Sequence, residues 1–110
     1  MTTVFKNTLQ ANLGVGPATV MTSNASAKTT VIGFSLTNTT SFIILVTVQL
    51  QDTIASTSAY YINNVAVPPN QSLRIVTGGE KLILGPSTNV IVTTSQASSL
   101  DLAISYVEIS

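Results

Sequence analysis

Acid–base chemistry in this chain would have to come from its four carboxylates, Asp52, Glu80, Asp101 and Glu108, because histidine and cysteine are both absent. Their absence removes the commonest general base, the softest metal ligands and any disulfide framework. A general acid and its base must converge on one bond. Asp101 and Glu108 stand seven positions apart in a single alternating run, so they fall on opposite faces of a strand. Glu80 follows Gly78-Gly79 and precedes Lys81. The Walker spacing is missing and no helical pattern follows, so this is not a phosphate loop, and the glycines read as the positive-φ positions of a hairpin turn. The four acids read as surface charges or interface ion pairs. No catalytic residue, cofactor or metal ligand is expected, and the chain is not read as an enzyme.

Other residues invite a binding role. Tyr60-Tyr61 has the chemistry to stack on a sugar or a base. Adjacent strand residues point opposite ways, so one ring faces outward and the other packs inward, and core or subunit packing is the simpler use. Arg74 is an isolated guanidinium between Leu73 and Ile75. It faces solvent or makes an intersubunit ion pair, a role in which arginine is favoured. Asn24-Ala25-Ser26, Asn38-Thr39-Thr40 and Asn70-Gln71-Ser72 match the glycan acceptor pattern. Such matches arise readily in a chain rich in Asn, Ser and Thr, and the start of the chain does not read as a secretion signal.

The elements that must position these groups are legible from composition and period. The 110 residues suffice for one two-layer domain. Charged residues are 7 % of the chain and cancel to zero, against roughly a quarter charged in an ordinary soluble domain. Neither nucleic acid nor an anionic membrane is therefore an expected partner. The longest apolar run, Phe42–Val46, is too short to span a bilayer. A cysteine-free chain fits folding in a reducing cytosol.

Short β-branched runs recur between turn residues, and no helical stripe is present. The runs are Val4–Leu9, Ala18–Met21, Thr29–Leu36, Phe42–Leu50, Ala59–Ile62, Leu73–Val76, Lys81–Leu84, Val90–Val92 and Leu100–Ile109. Gly14 to Pro17, Asn63-Asn64, Pro68-Pro69-Asn70, Gly78-Gly79 and Gly85-Pro86 turn the chain between them. The first run is either a strand or part of an extended N-terminal arm over residues 1–16. About eight or nine short strands at roughly ten-residue spacing predict an all-β, antiparallel β-sandwich or jelly-roll-like domain over residues 1–110. Ile32, Phe34, Leu36, Ile44, Val46, Leu102 and Ile104 are the predicted core. Phe42 is expected on the core face, and the first half of its strand is expected to be buried on both sides.

With the strands placed, the sequence resembles a family of small virion structural proteins of tailed bacteriophages, notably those of marine cyanobacteria. The resemblance runs almost end to end. It is carried by Thr3-Val4-Phe5-Lys6-Asn7, by the stretch from Thr29 to Asn38, by Val67-Pro68-Pro69-Asn70, by Gly78-Gly79-Glu80-Lys81-Leu82-Ile83-Leu84, and by Ile104-Ser105-Tyr106-Val107-Glu108-Ile109. It implies a β-sandwich in the virion, assembled in the host cytoplasm, and most directly a cement or decoration protein bridging capsid subunits. A tail or neck component is the rival within the family. The implied partners are the major capsid protein or other virion proteins. A carbohydrate-binding module is the alternative of another class.

The composition points to association independently. With a mean hydropathy of +0.46, little charge is available to keep copies apart. Ile43, Leu45, Val107 and Ile109 lie on strand faces opposite the predicted core, and Arg74 sits among apolar neighbours. Val4, Phe5 and Leu9 are the apolar anchors of a weakly patterned N-terminal stretch suited to joining a neighbour's sheet edge. Self-association as a trimer or dimer is expected.

Overall fold

Runs of Val, Ile, Leu and Thr in strict alternation cannot bury a helical stripe, but they do furnish one apolar face per strand. The computed structural model, which describes residues 3–76 and 81–109, uses them in that way. Among the described residues there are nine strands: β1 (Thr3–Leu13), β2 (Ala18–Thr22), β3 (Lys28–Asn38), β4 (Ile44–Asp52), β5 (Thr57–Val67), β6 (Ser72–Val76), β7 (Leu82–Leu84), β8 (Thr88–Thr94) and β9 (Leu100–Ile109). They form two antiparallel sheets. Sheet A has the order β1-β9-β3-β6, with β7 also on β3, and sheet B has the order β2-β8-β4-β5.

The connectivity is that of a jelly roll. β6 pairs with the second half of β3, from Phe34 to Thr37, and β7 pairs with the first part, from Thr29 to Val31. The two lie end to end along β3, as one interrupted strand. Counted so, the chain is a long hairpin closed between β4 and β5, in which β3 meets β6 and β7, β2 meets β8, and β1 meets β9. Rolling that hairpin brings β9 against β3 and β8 against β4, giving the two-sheet form. The hairpin expected between the sixth and seventh runs is thus corrected. Its glycines, Gly78 and Gly79, lie outside the described residues.

The core is the layer between the sheets. Phe34, Leu36, Val31, Leu102, Ile104 and Leu100 from sheet A meet Ile44, Val46, Val48, Val67, Val90 and Val92 from sheet B, all buried. Six of the seven predicted core residues are there. Ile32 is not: it is 38 % exposed. The register of β3 against β9 jumps between Val31 and Gly33, so β3 carries an extra residue at that point. A bulge of this kind reverses the side-chain phase, turning Val31 inward and Ile32 outward.

Three further expectations are corrected. Asn63-Asn64 does not end a strand, because β5 runs through it to Val67. Asn64 adopts φ 51°, and the pairing of β5 with β4 shifts on either side of Val48. Asparagine tolerates this left-handed backbone, and its N–H is taken by Thr47 Oγ1 at 3.1 Å. Phe42 precedes β4 and is exposed rather than on the core face. Ile43 and Leu45 are also exposed, so the start of β4 is covered on one side only.

Buried polar groups fasten the ends of the roll. Asn38, fully buried at the end of β3, has Nδ2 within 2.6 to 3.2 Å of the carbonyls of Phe42, Val67 and Pro68. Its Oδ1 accepts from the N–H and hydroxyl of Thr40 at 2.9 and 2.7 Å. One amide thus ties the β3–β4 loop to the β5–β6 connection, and it is no glycan acceptor. Near the β8–β9 turn, the hydroxyls of Thr94 and Ser99 lie 3.0 Å apart and each within 2.7 Å of the carbonyl of Gln96, so that one hydroxyl can donate to the other while the second donates to the carbonyl. Gly14 lies against this turn. A Cβ there would come within 3.2 Å of Ala97 Cα and Ser98 N.

Candidate interaction surface

The three described carboxylates are each engaged locally. Asp52 Oδ1 accepts the N–H groups of Ile54 and Ala55 at 3.0 and 3.1 Å, capping the β4–β5 turn. Asp101 Oδ1 accepts the N–H of Asn12 at 3.1 Å, where the chain leaves β1 in a left-handed backbone of φ 58°. Glu108 pairs with Lys6 across the β1–β9 ladder at 3.3 Å. Glu80 lies outside the described residues. Among the described residues no three His, Cys, Asp or Glu side chains group as metal ligands would.

The uncovered surfaces carry more information. Along β9, Leu102 and Ile104 face the core, so Ala103, Ser105 and Val107 face out. Their ladder partners share that side: Leu9, Asn7 and Phe5 from β1, and Ser35, Gly33 and Thr30 from β3. Ala103, Ser105, Gly33 and Ser35 are small, so the middle of the outer face is a shallow trough. Phe5 and Leu9 stand on one bank, and Ile32 and Arg74 on the other. Ile83 of β7 continues the far bank, opposite Thr30. Phe5, Leu9 and Ile83 are all exposed over two-thirds of their surface. The floor is low because the outward residues at the centre of the paired strands β9 and β3 are Ala103, Ser105, Gly33 and Ser35.

The expected contact residues divide in two. Phe5, Leu9, Arg74 and Val107 gather on the trough side of sheet A, and half-buried Ile109 extends it at the end of β9. Arg74 is exposed there opposite Ser35, a solvent-facing position in the single chain. Val4 turns to the other side of β1, opposite Glu108. Leu45 belongs to the start of β4, in the other sheet, and Ile43 immediately precedes that strand. Sequence reasoning missed Ile32, hidden by the bulge, and Ile83, whose run is too short to fix a phase.

Sheet B presents a different outer face. Thr47 and Gln49 of β4 lie opposite Thr93 and Ile91 of β8. Thr47, Gln49 and Thr93 line a shallow depression together with Tyr60, Asn64 and Pro17. Tyr60 is exposed, while Tyr61 packs against the core and donates its hydroxyl to the carbonyl of Ile75 at 3.2 Å. Comparison of the chain with protein-family models, with curated proteins and with solved structures finds no match.

Proposed function

We propose that this protein is a structural component of a bacteriophage particle, a cement or decoration protein that bridges capsid subunits through the outer face of sheet A. The observation that carries this is the apolar bank of that face, with Phe5, Leu9, Ile32 and Ile83 exposed around a small-residue floor. Covering such a bank contributes about 25 cal/mol for each Å² of apolar area removed from water. The resemblance to small virion proteins supplies the setting. The jelly roll agrees with it as a fold-level analogy, since viral capsid domains use this architecture. A tail or neck position is the rival placement in the same particle.

Binding to shells that lack the protein tests this reading. Attachment is expected to survive molar salt, where the screening length falls to about 3 Å and only charge–charge attraction is lost. Ile83→Lys is expected to abolish it. Release by salt, or full binding by Ile83→Lys, would refute attachment through this face.

Sheet B supports a second reading as a carbohydrate-binding surface. Exposed Tyr60 beside Gln49 and Asn64 offers one stacking ring with amide donors and acceptors. Jelly rolls also serve lectins. A glycan screen giving a hit that Tyr60→Ala removes would favour it; a blank screen would leave the shell reading alone.

A further inference from the structure

A β-sheet edge is a row of unpaired backbone donors and acceptors, and folded proteins ordinarily blunt it. Three of the four edges here are blunted. β2 has five residues, follows Pro17, and slips register between Thr19 and Met21. β5 is broken by two register shifts and by the left-handed Asn64. The far edge of sheet A is split into the short strands β6 and β7. The fourth edge, β1, has no such device over most of its length. Thr3 to Gln10 pair with β9 in eight consecutive steps without a shift, and the first irregularity comes after Gln10. No proline interrupts β1, and its one charge, Lys6, is held across the ladder by Glu108.

β1 is also bare on both faces. Up to Leu13 its residues are exposed, apart from half-buried Thr8, and Phe5 and Leu9 are 75 % and 69 % exposed. The other sheet does not cover it, so a second strand has room to lie alongside. The sequence of β1 is complementary to itself in one antiparallel register. With a two-fold axis at Asn7, Phe5 lies opposite Leu9 of the second copy, Leu9 opposite Phe5, and Lys6 opposite Thr8. Moving the axis to Lys6 sets like charges face to face, which is unfavourable, and moving it to Thr8 separates the two large apolar residues.

We infer that β1 is a self-pairing edge, and that two copies of this chain join β1 to β1 about Asn7 to make one continuous sheet from the two A sheets. Antiparallel backbones pair in this register whichever set of β1 amides points outward, because opposed residues alternate between bonded and non-bonded pairs. The apolar banks of the two troughs then meet at the seam. This deepens the proposed function by naming a partner, and rests on it only for the particle setting.

The absence of cysteine makes the test direct. Opposed residues in antiparallel strands have Cα atoms about 4.5 to 5.5 Å apart, within the span a disulfide bridges. Asn7→Cys is expected to oxidise rapidly to a covalent dimer. Phe5→Cys alone is expected to stay a thiol but to cross-link when mixed with Leu9→Cys. The unmodified chain is expected to sediment as a dimer, and Phe5→Lys with Leu9→Lys to raise its dissociation constant at least ~30-fold, as loss of central apolar anchors does. An unchanged circular dichroism spectrum would show that the doubly substituted chain is folded. A monomer at high micromolar concentration, a trimer, or a dimer that Asn7→Cys fails to cross-link would overturn the inference. Cross-linking of Asn7→Cys only to a shell protein on the particle would overturn it too, giving the edge to a different chain. Ile83→Lys is expected to leave the dimer intact, so failure of dimerisation and failure of shell binding are told apart.

Discussion

Two parts of sheet A are held in opposite ways. At the far end of β3, Asn38 is fully buried and its amide is saturated by two loops, with Leu36 and Phe34 sealed beneath. At the near edge, β1 buries almost nothing and rests on its ladder to β9 and one lysine–glutamate pair. One region is fastened by packing and buried hydrogen bonds, whereas the other is held by backbone bonds that water can replace. Contact surfaces in a small domain are drawn from the second kind, since a strand already committed to the core has nothing left to offer.

Truncating the fastened region should have the largest effect. Phe34→Ala is expected to cost ~3–5 kcal/mol, the range for a buried aromatic, read from urea denaturation. A loss below ~1 kcal/mol would erase the contrast, since it would mean that the centre of β3 is no better packed than β1. Asn38→Ala should cost ~2–4 kcal/mol, because it strands several buried carbonyls and the amide of Thr40 at once. Gly14→Ala tests the β8–β9 turn and is expected to cost ~1–3 kcal/mol, the new methyl meeting main chain that cannot swing away.

A gain is expected at Thr29. Its Oγ1 is buried with no hydrogen-bond partner among the described residues. Thr29→Val should therefore stabilise the fold by ~1 kcal/mol, and a loss instead would reveal a partner for that hydroxyl. The smallest effect belongs to β1. Phe5→Ser should shift the unfolding free energy of the isolated monomer by less than ~0.5 kcal/mol, as exposed substitutions do. Amide exchange should likewise be faster in β1 than in β3. Equal protection of the two strands would end the comparison.

Much of this was legible in the chain, and the misses share a cause. Leu102 and Ile104 alternate with smaller or polar residues, and the period alone put them in the core. Phe34 and Leu36 were legible for the same reason. Ile32 followed their spacing and still faces out, because a bulge changes phase without changing composition. Asn63-Asn64 carries the residue types of a turn, and those same types let β5 kink and continue. The exposed state of Ile43, Leu45 and Ile83 was not legible, since burial on a strand's second face depends on whether another layer covers it. The broken strand β6–β7 was hidden too, because end-to-end and side-by-side strands have the same local sequence.

The nested hairpin also sets an order of assembly. β4 and β5 are separated by one short turn, whereas β1 must find β9 across nearly the whole length of the chain. Loop closure favours the near pair first, and contacts of long sequence separation form slowly. On a ribosome, β1 is made first and waits until β9 has been synthesised. During that interval it is an unpaired apolar strand in the nascent chain. Neighbouring nascent chains on one message would hold such strands close together, so the concentration of the protein during synthesis, as well as its final amount, bears on which partner β1 acquires.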